Sequence, residues 1–399
     1  MNQKFIPYGR QCVEDDDIRA VVETLKSDWI TQGPKIAEFE KAVAQRSGAG
    51  FGVAVATGTA ALHCACFAAG IKEGDEIITA PITFAASGNC ALFFGATVKF
   101  VDIRPDTYCM DTKKLERAIT KKTKAIIPVD FSGQPCDMDE INTIAKKHKL
   151  TVIQDAAHSL GATYKGKPVG SLADMTIFSF HPVKLITTGE GGMVVTSSKD
   201  FDTRLRLFRT HGITADESVM GGTAQMADSE GPCKTNKPGK AAWYYEMVAL
   251  GYNFRITDVQ CALGLSQLKK LDRFINRRRE IVWMYNNAFS KSELLITPYQ
   301  ERDRESAWHL YMLRLRLDKV KKSRRQIFDE LRAEGIGAHV HYIPLHLLQY
   351  YRRKFGYQRG NFPESEAYYD SALTLPLFPS LSDEEVKKVI DCVSKIVVH

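Results

Sequence analysis

The chain has 399 residues, with 54 Lys and Arg against 47 Asp and Glu, a net charge of +7. That length leaves room for a sizeable core and for two domains, or for one large domain with a smaller companion. The basic residues are interspersed with acids and form only short clusters, "NRRRE" and "VKKSRRQ", on amphipathic helices, which favours solvated faces and a small anionic ligand over a nucleic-acid groove.

Along the chain, "MNQKFIPYGRQ" lacks a basic region followed by an apolar one, and no run of about 18 apolar residues occurs anywhere, so neither a secretory leader nor a membrane span is expected. In "EDDDIRAVVETLKSDW", Ile18, Val21, Val22 and Leu25 fall on one face of a predicted helix. From Phe51 strand and helix alternate: "FGVAVA" reads as a strand, "GTAALHCACFAAG" as a helix, "EIITA" as a strand, "TFAASGNCALFFGA" as a helix and "TVKFVDI" as a strand. "KAIIPVDF", the helix "DMDEINTIAKKHK" and the strands "TVIQDA" and "MTIFSF" continue the series. Repeated βα units of this length imply an α/β fold with a mostly parallel sheet, helices on both faces, and a ligand outside the carboxyl ends of the strands. Residues 214–242 turn polar and Gly/Lys-rich and read as a flexible insert. Ser382 and Glu385 form a capping box ahead of Val386, Val389, Ile390 and Val393, which predicts a closing helix. Nine cysteines lack CxxC or metal-ligand spacing, as in a reduced, cytoplasmic protein.

Three features meet at one edge of the predicted sheet. Gly58 and Thr59 open a helix directly after a strand, a place where free amides and the helix dipole favour an anion by about 0.3 to 2 kcal/mol. Asp155 ends a buried strand, where a carboxylate needs a partner. Lys184 stands in "FSFHPVKLITTGEGGMVVTS", between an apolar strand and a pair of glycine turns. Singly, each has a plain structural reading as helix start, turn residue and solvated lysine. Together they ask for one ligand with a phosphate, a ring nitrogen that wants a carboxylate and an aldehyde that wants an amine, and pyridoxal 5'-phosphate has all three.

The segments "SDWITQGP", "ATGTAALH", "PITFAAS", "QDAAHSLGA", "FSFHPVKLITTGEGG", "RTHGI", "GYNFRITDVQCALGLSQLKKLD" and "GIGAHVHYIPLH" resemble, in this order and from about Pro7 to the last helix, the DegT/DnrJ/EryC1/StrS family of PLP-dependent sugar-nucleotide aminotransferases. The resemblance implies an aspartate aminotransferase-like, fold type I architecture, with a large cofactor-binding domain over 1–260 and a small C-terminal α/β domain over 261–399. It implies Lys184 as the cofactor-carrying lysine, Asp155 as partner of the pyridine nitrogen, and Phe84 stacked on the cofactor face. Gly58, Thr59 and Ser179 match the phosphate cradle, and Asn253 matches a residue that reaches the phosphate from a neighbouring subunit, so the implied assembly is a homodimer with shared active sites. His158 departs from the Gln of many members near the cofactor's phenolic oxygen, yet an imidazole still donates that hydrogen bond. For the nucleotide-sugar the matching segments are Tyr8, the stretch Asp28, Trp29, Ile30 and Thr31, and the stretch His339, Val340, His341 and Tyr342. The implied reaction moves the amino group of L-glutamate to C4 of a UDP-4-keto-6-deoxy-N-acetylhexosamine, as in pseudaminic acid-type glycan synthesis.

Other readings are weaker. No G-x-G-x-x-G follows a strand, against a nicotinamide dehydrogenase. Sugar dehydratases of the family carry His in place of the lysine, and no recognition helix marks a DNA-binding regulator. His339, His341 and His346 lack a Cys or carboxylate to complete a metal ligand set, so no metal is expected.

Overall fold

The computed structural model describes residues 5–216, 218–220 and 243–398. Helices α1 (Asp15–Leu25) and α2 (Pro34–Arg46) precede β1 (Phe51–Val55). Strand and helix then alternate through α3 (Gly58–Ala68), β2 (Glu76–Thr79), α4 (Ala86–Leu92), β3 (Thr97–Phe100), α5 (Thr112–Ala118), β4 (Thr123–Ile127), α6 (Met138–His148) and β5 (Thr151–Asp155). The small strands β6 (Thr163–Tyr164) and β7 (Lys167–Pro168) separate β5 from β8 (Met175–Ser179), after which come β9 (Gly192–Thr196) and α7 (Lys199–Arg209). Next, β10 (Ile213–Thr214) pairs with β11 (Glu246–Met247). Of the insert expected over 214–242, residue 217 and residues 221–242 lie outside the described residues. The chain continues with α8 (Asp258–Leu268), α9 (Leu271–Phe289), β12 (Leu295–Ile296), β13 (Arg304–Glu305), β14 (Tyr311–Leu315), α10 (Arg324–Ala333), α11 (Gln349–Phe355), α12 (Pro363–Ser371), β15 (Ala372–Leu375) and α13 (Asp383–Val398).

Seven strands form the main sheet in the order β1-β9-β8-β5-β4-β2-β3. Six run parallel, as the βα pattern requires, and β9 alone is reversed, pairing antiparallel with both β1 and β8. The reversal arises because β8 and β9 are joined by the loop 180–191 and no crossover helix. That loop carries Lys184, so the lysine is delivered to the carboxyl edge of β8.

Both faces of the sheet are buried, and alternate residues of each strand enter different clusters. Ala54, Ile78, Ile126, Val152 and Phe178 pack with Phe39 and Val43 of α2 and Ile141 of α6. Val53, Ile77, Ile127, Ile153 and Ile177 pack with Ala61, Leu62 and Ala65 of α3. Full burial of side chains like these contributes roughly 1.5–3 kcal/mol each. A second, three-stranded antiparallel sheet, β12-β14-β15, shares its core with Tyr285 and Phe289 of α9, Leu331 of α10, and Val389 and Val393 of α13. The capping box of α13 is present: Glu385 N–H donates to Ser382 Oγ at 3.2 Å, and Ser382 N–H to Glu385 Oε2 at 3.1 Å.

Helix α1 forms where expected, but its apolar stripe is not packed within the chain: Ile18, Val22 and Leu25 are 54, 39 and 57% exposed. The physical reason is that α1 is held by its polar face. Buried Asp17 accepts from Gln267 Nε2 at 2.7 Å and pairs with Lys270 Nζ at 2.8 Å. Among the described residues no helix is long and apolar enough to cross a membrane.

Candidate active site

The site is assembled from the ends of β1, β5 and β8. After β1, Thr57 caps α3, its Oγ1 accepting from Ala60 N–H at 3.0 Å, so the helix starts sharply at Gly58. The first amides of a helix have no helical carbonyl to pair with, and those of Gly58 and Thr59 occupy this turn. Two close approaches demand glycine here. A Cβ on Gly58 would lie 2.9 Å from Ser179 Cβ, and one on Gly192 would lie 2.4 Å from Thr57 O. Backbone at the start of β9 is thereby packed against the helix start, and Ser179 is brought beside it.

Asp155 ends β5 and is buried. Ser87 Oγ donates to its Oδ2 at 2.6 Å, with Thr83 Oγ1 2.6 Å behind Ser87, and Ala157 N–H donates to its Oδ1 at 3.2 Å. Burial still raises its pKa against these bonds and against Lys184. Next to it, Asp130 is pushed up to about 6 by burial and accepts from Gln154 Nε2, Ser159 Oγ and Cys136 N–H at 2.8, 2.7 and 3.0 Å. This second carboxylate ties together the residues flanking Asp155.

Lys184 is partly buried in the cavity wall, and burial pushes its pKa from the usual 10.5 down to about 8, with Asp155 opposing the change. His158 is buried and held well below the usual imidazole range by burial, then by Lys184 and His341, so its ring is neutral at pH 7. The Ser132 amide donates to His158 Nδ1 at 3.3 Å, and Tyr342 Oη lies 3.3 Å from its Nε2. His341 is pushed down to about 3, chiefly by burial, and its Nδ1 lies 2.9 Å from Thr374 Oγ1.

Gly58, Thr59, Ser87, Asp155, His158 and Lys184 open on one cavity of about 540 Å³. Of the residues expected from sequence, Gly58, Thr59, Phe84, Asp155, His158, Ser179, Lys184, Tyr8, His339, His341 and Tyr342 all line it. The Tyr8 ring sits 5.1 and 5.0 Å from those of His339 and His341. Val340 does not line it and packs against the core of the smaller sheet. His346 is buried elsewhere against Glu366, at 2.9 Å. Asp28, Trp29, Ile30 and Thr31 are exposed and lie away from the cavity of their own chain, where Ile30 O and Thr31 pair with Asp258 N–H and Thr257. Asn253 is also exposed and outside it, bridged to Thr210. Residues not anticipated from sequence are Thr57, Thr83, Ser87, His181 and Glu190, which line the cavity. All five stand in quoted segments, Thr57 in "ATGTAALH", Thr83 and Ser87 in "PITFAAS", His181 and Glu190 in "FSFHPVKLITTGEGG", so the signal was the segment and the individual residue was missed.

The arrangement fits pyridoxal phosphate on its own chemistry. Among the described residues Asp155 has no cation within ion-pair distance, so a protonated ring nitrogen would supply the missing counter-charge. Glycine at 58 lets the Ser179 side chain close on the start of α3, which sets a hydroxyl beside free helix amides, a combination suited to a phosphate. The depressed Lys184 amine is the nucleophile an aldehyde requires.

Comparison with known proteins agrees. The family described as DegT/DnrJ/EryC1/StrS aminotransferase matches residues 11–394. The spore coat polysaccharide biosynthesis protein SpsC of Bacillus subtilis is 42% identical over 98% of this chain and 97% of its own. The UDP-4-amino-4,6-dideoxy-N-acetyl-beta-L-altrosamine transaminase of Campylobacter jejuni is 38% identical over 98% of this chain and 97% of its own. The PLP form of the putative sugar aminotransferase Spr1654 from Streptococcus pneumoniae superposes with a TM-score of 0.87 at 33% identity, covering 99% of each chain.

Proposed function

This chain belongs to the DegT/DnrJ/EryC1/StrS family and is a PLP-dependent sugar aminotransferase, and from that premise we propose that it moves the amino group of L-glutamate to C4 of a UDP-4-keto-6-deoxy-N-acetylhexosamine. The product is a UDP-4-amino-4,6-dideoxy sugar of the kind used in pseudaminic acid-type glycans. The observation that carries this reading is the single cavity holding the Lys184 amine, Asp155 and the Gly58 helix start, together with full-length likeness to the Campylobacter transaminase.

When bound, pyridoxal phosphate supplies an aldehyde and a conjugated ring that accepts carbanion charge. The chain supplies the rest. The amides of Gly58 and Thr59 and the Ser179 hydroxyl hold the phosphate. Asp155, oriented by Ser87 and Ala157, keeps the ring nitrogen protonated. Lys184, depressed to about 8, is partly a free amine near neutral pH. Its Nζ takes the Cα proton of glutamate, whose amino group and electron pair the bound cofactor would keep while water supplies the oxygen of the departing 2-oxoglutarate; in the second half-reaction Nζ returns a proton to the sugar's C4 as the amine replaces the keto oxygen, which leaves as water. His158 Nε2 donates toward the phenolic oxygen, while Tyr8, His339, His341 and Tyr342 face the sugar. The assembly is a cytoplasmic homodimer in which Asn253 and the segment 28–31 complete the partner's site. The exposed apolar face of α1 supports this reading.

The test is an assay of purified protein with L-glutamate and a panel of UDP- and dTDP-linked 4-keto and 3-keto sugars, following 2-oxoglutarate. Turnover of the UDP-4-keto-6-deoxy-N-acetylhexosamine, with parallel initial-rate lines, is expected; intersecting lines contradict the two-step scheme. The greater identity to SpsC favours a second reading, the same chemistry on the sugar of another polysaccharide, and the same panel decides it.

A further inference from the structure

Arg278, on α9, is fully buried, and among the described residues no carboxylate pairs with it. Its Nη1 donates to the carbonyls of Leu377, His309 and Trp308 at 2.8, 3.2 and 3.4 Å, while Nε and Nη2 have no hydrogen-bond partner. Burying an uncompensated charge costs several kcal/mol, so a guanidinium in this place needs a reason beyond packing.

The three carbonyls lead to the active site. The segment that carries two of them, Trp308 and His309, is bent, with Trp308 at φ +50°, and it lies against a second bend, with Ser132 at φ +66°. His309 N–H donates to Ser132 O at 2.8 Å, Ala307 N–H to Gly133 O at 3.1 Å, and Ser132 Oγ to Leu310 O at 2.7 Å. The fit is tight: a Cβ on Gly133 would come within 2.8 Å of Trp308 N and 2.9 Å of His158 O. The His309 ring lies 4.3 Å from that of His158. From this clasp the Ser132 amide donates to His158 Nδ1. A ring nitrogen that accepts carries no proton, so in the neutral imidazole the proton sits on Nε2, the nitrogen on the Tyr342 side of the cavity.

We propose that Arg278 is a positioning residue: by gathering the carbonyls of Trp308, His309 and Leu377 it seats segment 307–310 on Ser132 and so fixes His158 as its Nε2–H tautomer. Without the clasp, the two left-handed bends, costing of order 1–3 kcal/mol each, have less to hold them. The Ser132 amide then turns from Nδ1, and the imidazole loses its preference. Because Leu377 follows β15, the same guanidinium ties the smaller sheet to the floor of the site. The catalytic consequence rests on the proposed role of His158 as a donor to the cofactor; the tautomer lock itself does not.

The experiment is a two-bond proton–nitrogen correlation spectrum of histidine-labelled, cofactor-free full-length protein, with His158 assigned through His158→Gln. The wild type is expected to show His158 as the Nε2–H form. Arg278→Met, which removes the charge and every donor to the three carbonyls, is expected to show a mixture of tautomers and, when loaded with cofactor, a kcat about tenfold lower at nearly unchanged KM for the sugar. A folded Arg278→Met protein with the wild-type His158 pattern overturns the proposal. If that variant does not fold, Ser132→Ala, which removes only the bond to Leu310 O, takes its place with a smaller expected shift in the same direction, and an unchanged pattern overturns the proposal there too. The spectrum is read without cofactor, so failure of Lys184 to bind it would sink the functional reading and leave this result standing.

Discussion

At the scale of single residues, the account places acid–base work on one amine and charge control on one carboxylate. Lys184→Ala is expected to abolish turnover while the circular dichroism of the protein stays native; near-normal activity would remove Lys184 from the mechanism. Asp155→Asn should still bind cofactor but turn over orders of magnitude more slowly, since an amide cannot hold the ring nitrogen protonated. Loss of only a few-fold would mean another group does so. Ser87→Ala removes a 2.6 Å bond to that carboxylate, and bonds to charged groups contribute about 1.5–3 kcal/mol, so kcat should fall roughly ten- to a hundredfold. The depressed Lys184 also has a stability signature in the cofactor-free protein. Its folded pKa of about 8 lies below the unfolded 10.5, so between these values the unfolded chain binds more protons and stability rises with pH. Below 8 the whole cost is present. Lys184→Met should therefore stabilise the cofactor-free protein at pH 7 by about 2 kcal/mol, an advantage that shrinks as pH climbs from 8 toward 10.5. Urea melts at pH 7 and 10 measure it, and a constant difference between them contradicts the assignment.

At the scale of elements, the strands that build the site were legible because buried parallel strands read as continuous apolar runs, and Asp155 closes one of them while Lys184 stands in the loop after another. The direction of β9 was not legible, since a five-residue apolar run carries no sign of which way it points. The Ser87 bond was hidden for a similar reason: a serine in a short helix after a proline turn looks the same whether its hydroxyl meets water or a carboxylate. The apolar stripe of α1 gave the helix but not its packing, which is set by Asp17 with Gln267 and Lys270 on the opposite face. Gly192, one of the glycines that follow Lys184, is where backbone passes closest, and it is a packing constraint. Gly192→Ala would drive a Cβ to 2.4 Å from Thr57 O, a backbone atom with nowhere to go. A stability loss of about 3 kcal/mol is expected from denaturant melts, with weakened cofactor retention, and a loss under 1 kcal/mol would mean that the α3 start and β9 move apart freely.

At the scale of the whole molecule, two groups of expected site residues, Asn253 and 28–31, stand outside the cavity of their own chain. A sequence reports which residues belong to a site without saying which copy they serve, and in a two-fold dimer such a contact occurs twice. Mixing Lys184→Ala chains with Asn253→Ala chains should restore one site per hybrid dimer, so activity after subunit exchange should exceed the sum of the separate mutants. No gain despite proven exchange would assign Asn253 to its own chain. The central claim, that Lys184 carries the cofactor for amination of a nucleotide-sugar, is tested most directly by borohydride trapping of the purified enzyme followed by peptide mapping, with glutamate-dependent turnover of the UDP-4-keto sugar measured on the same sample. The account predicts a single reduced cofactor adduct on Lys184 and loss of turnover in proportion to it. An adduct on another lysine, or full turnover by fully trapped enzyme, would contradict it.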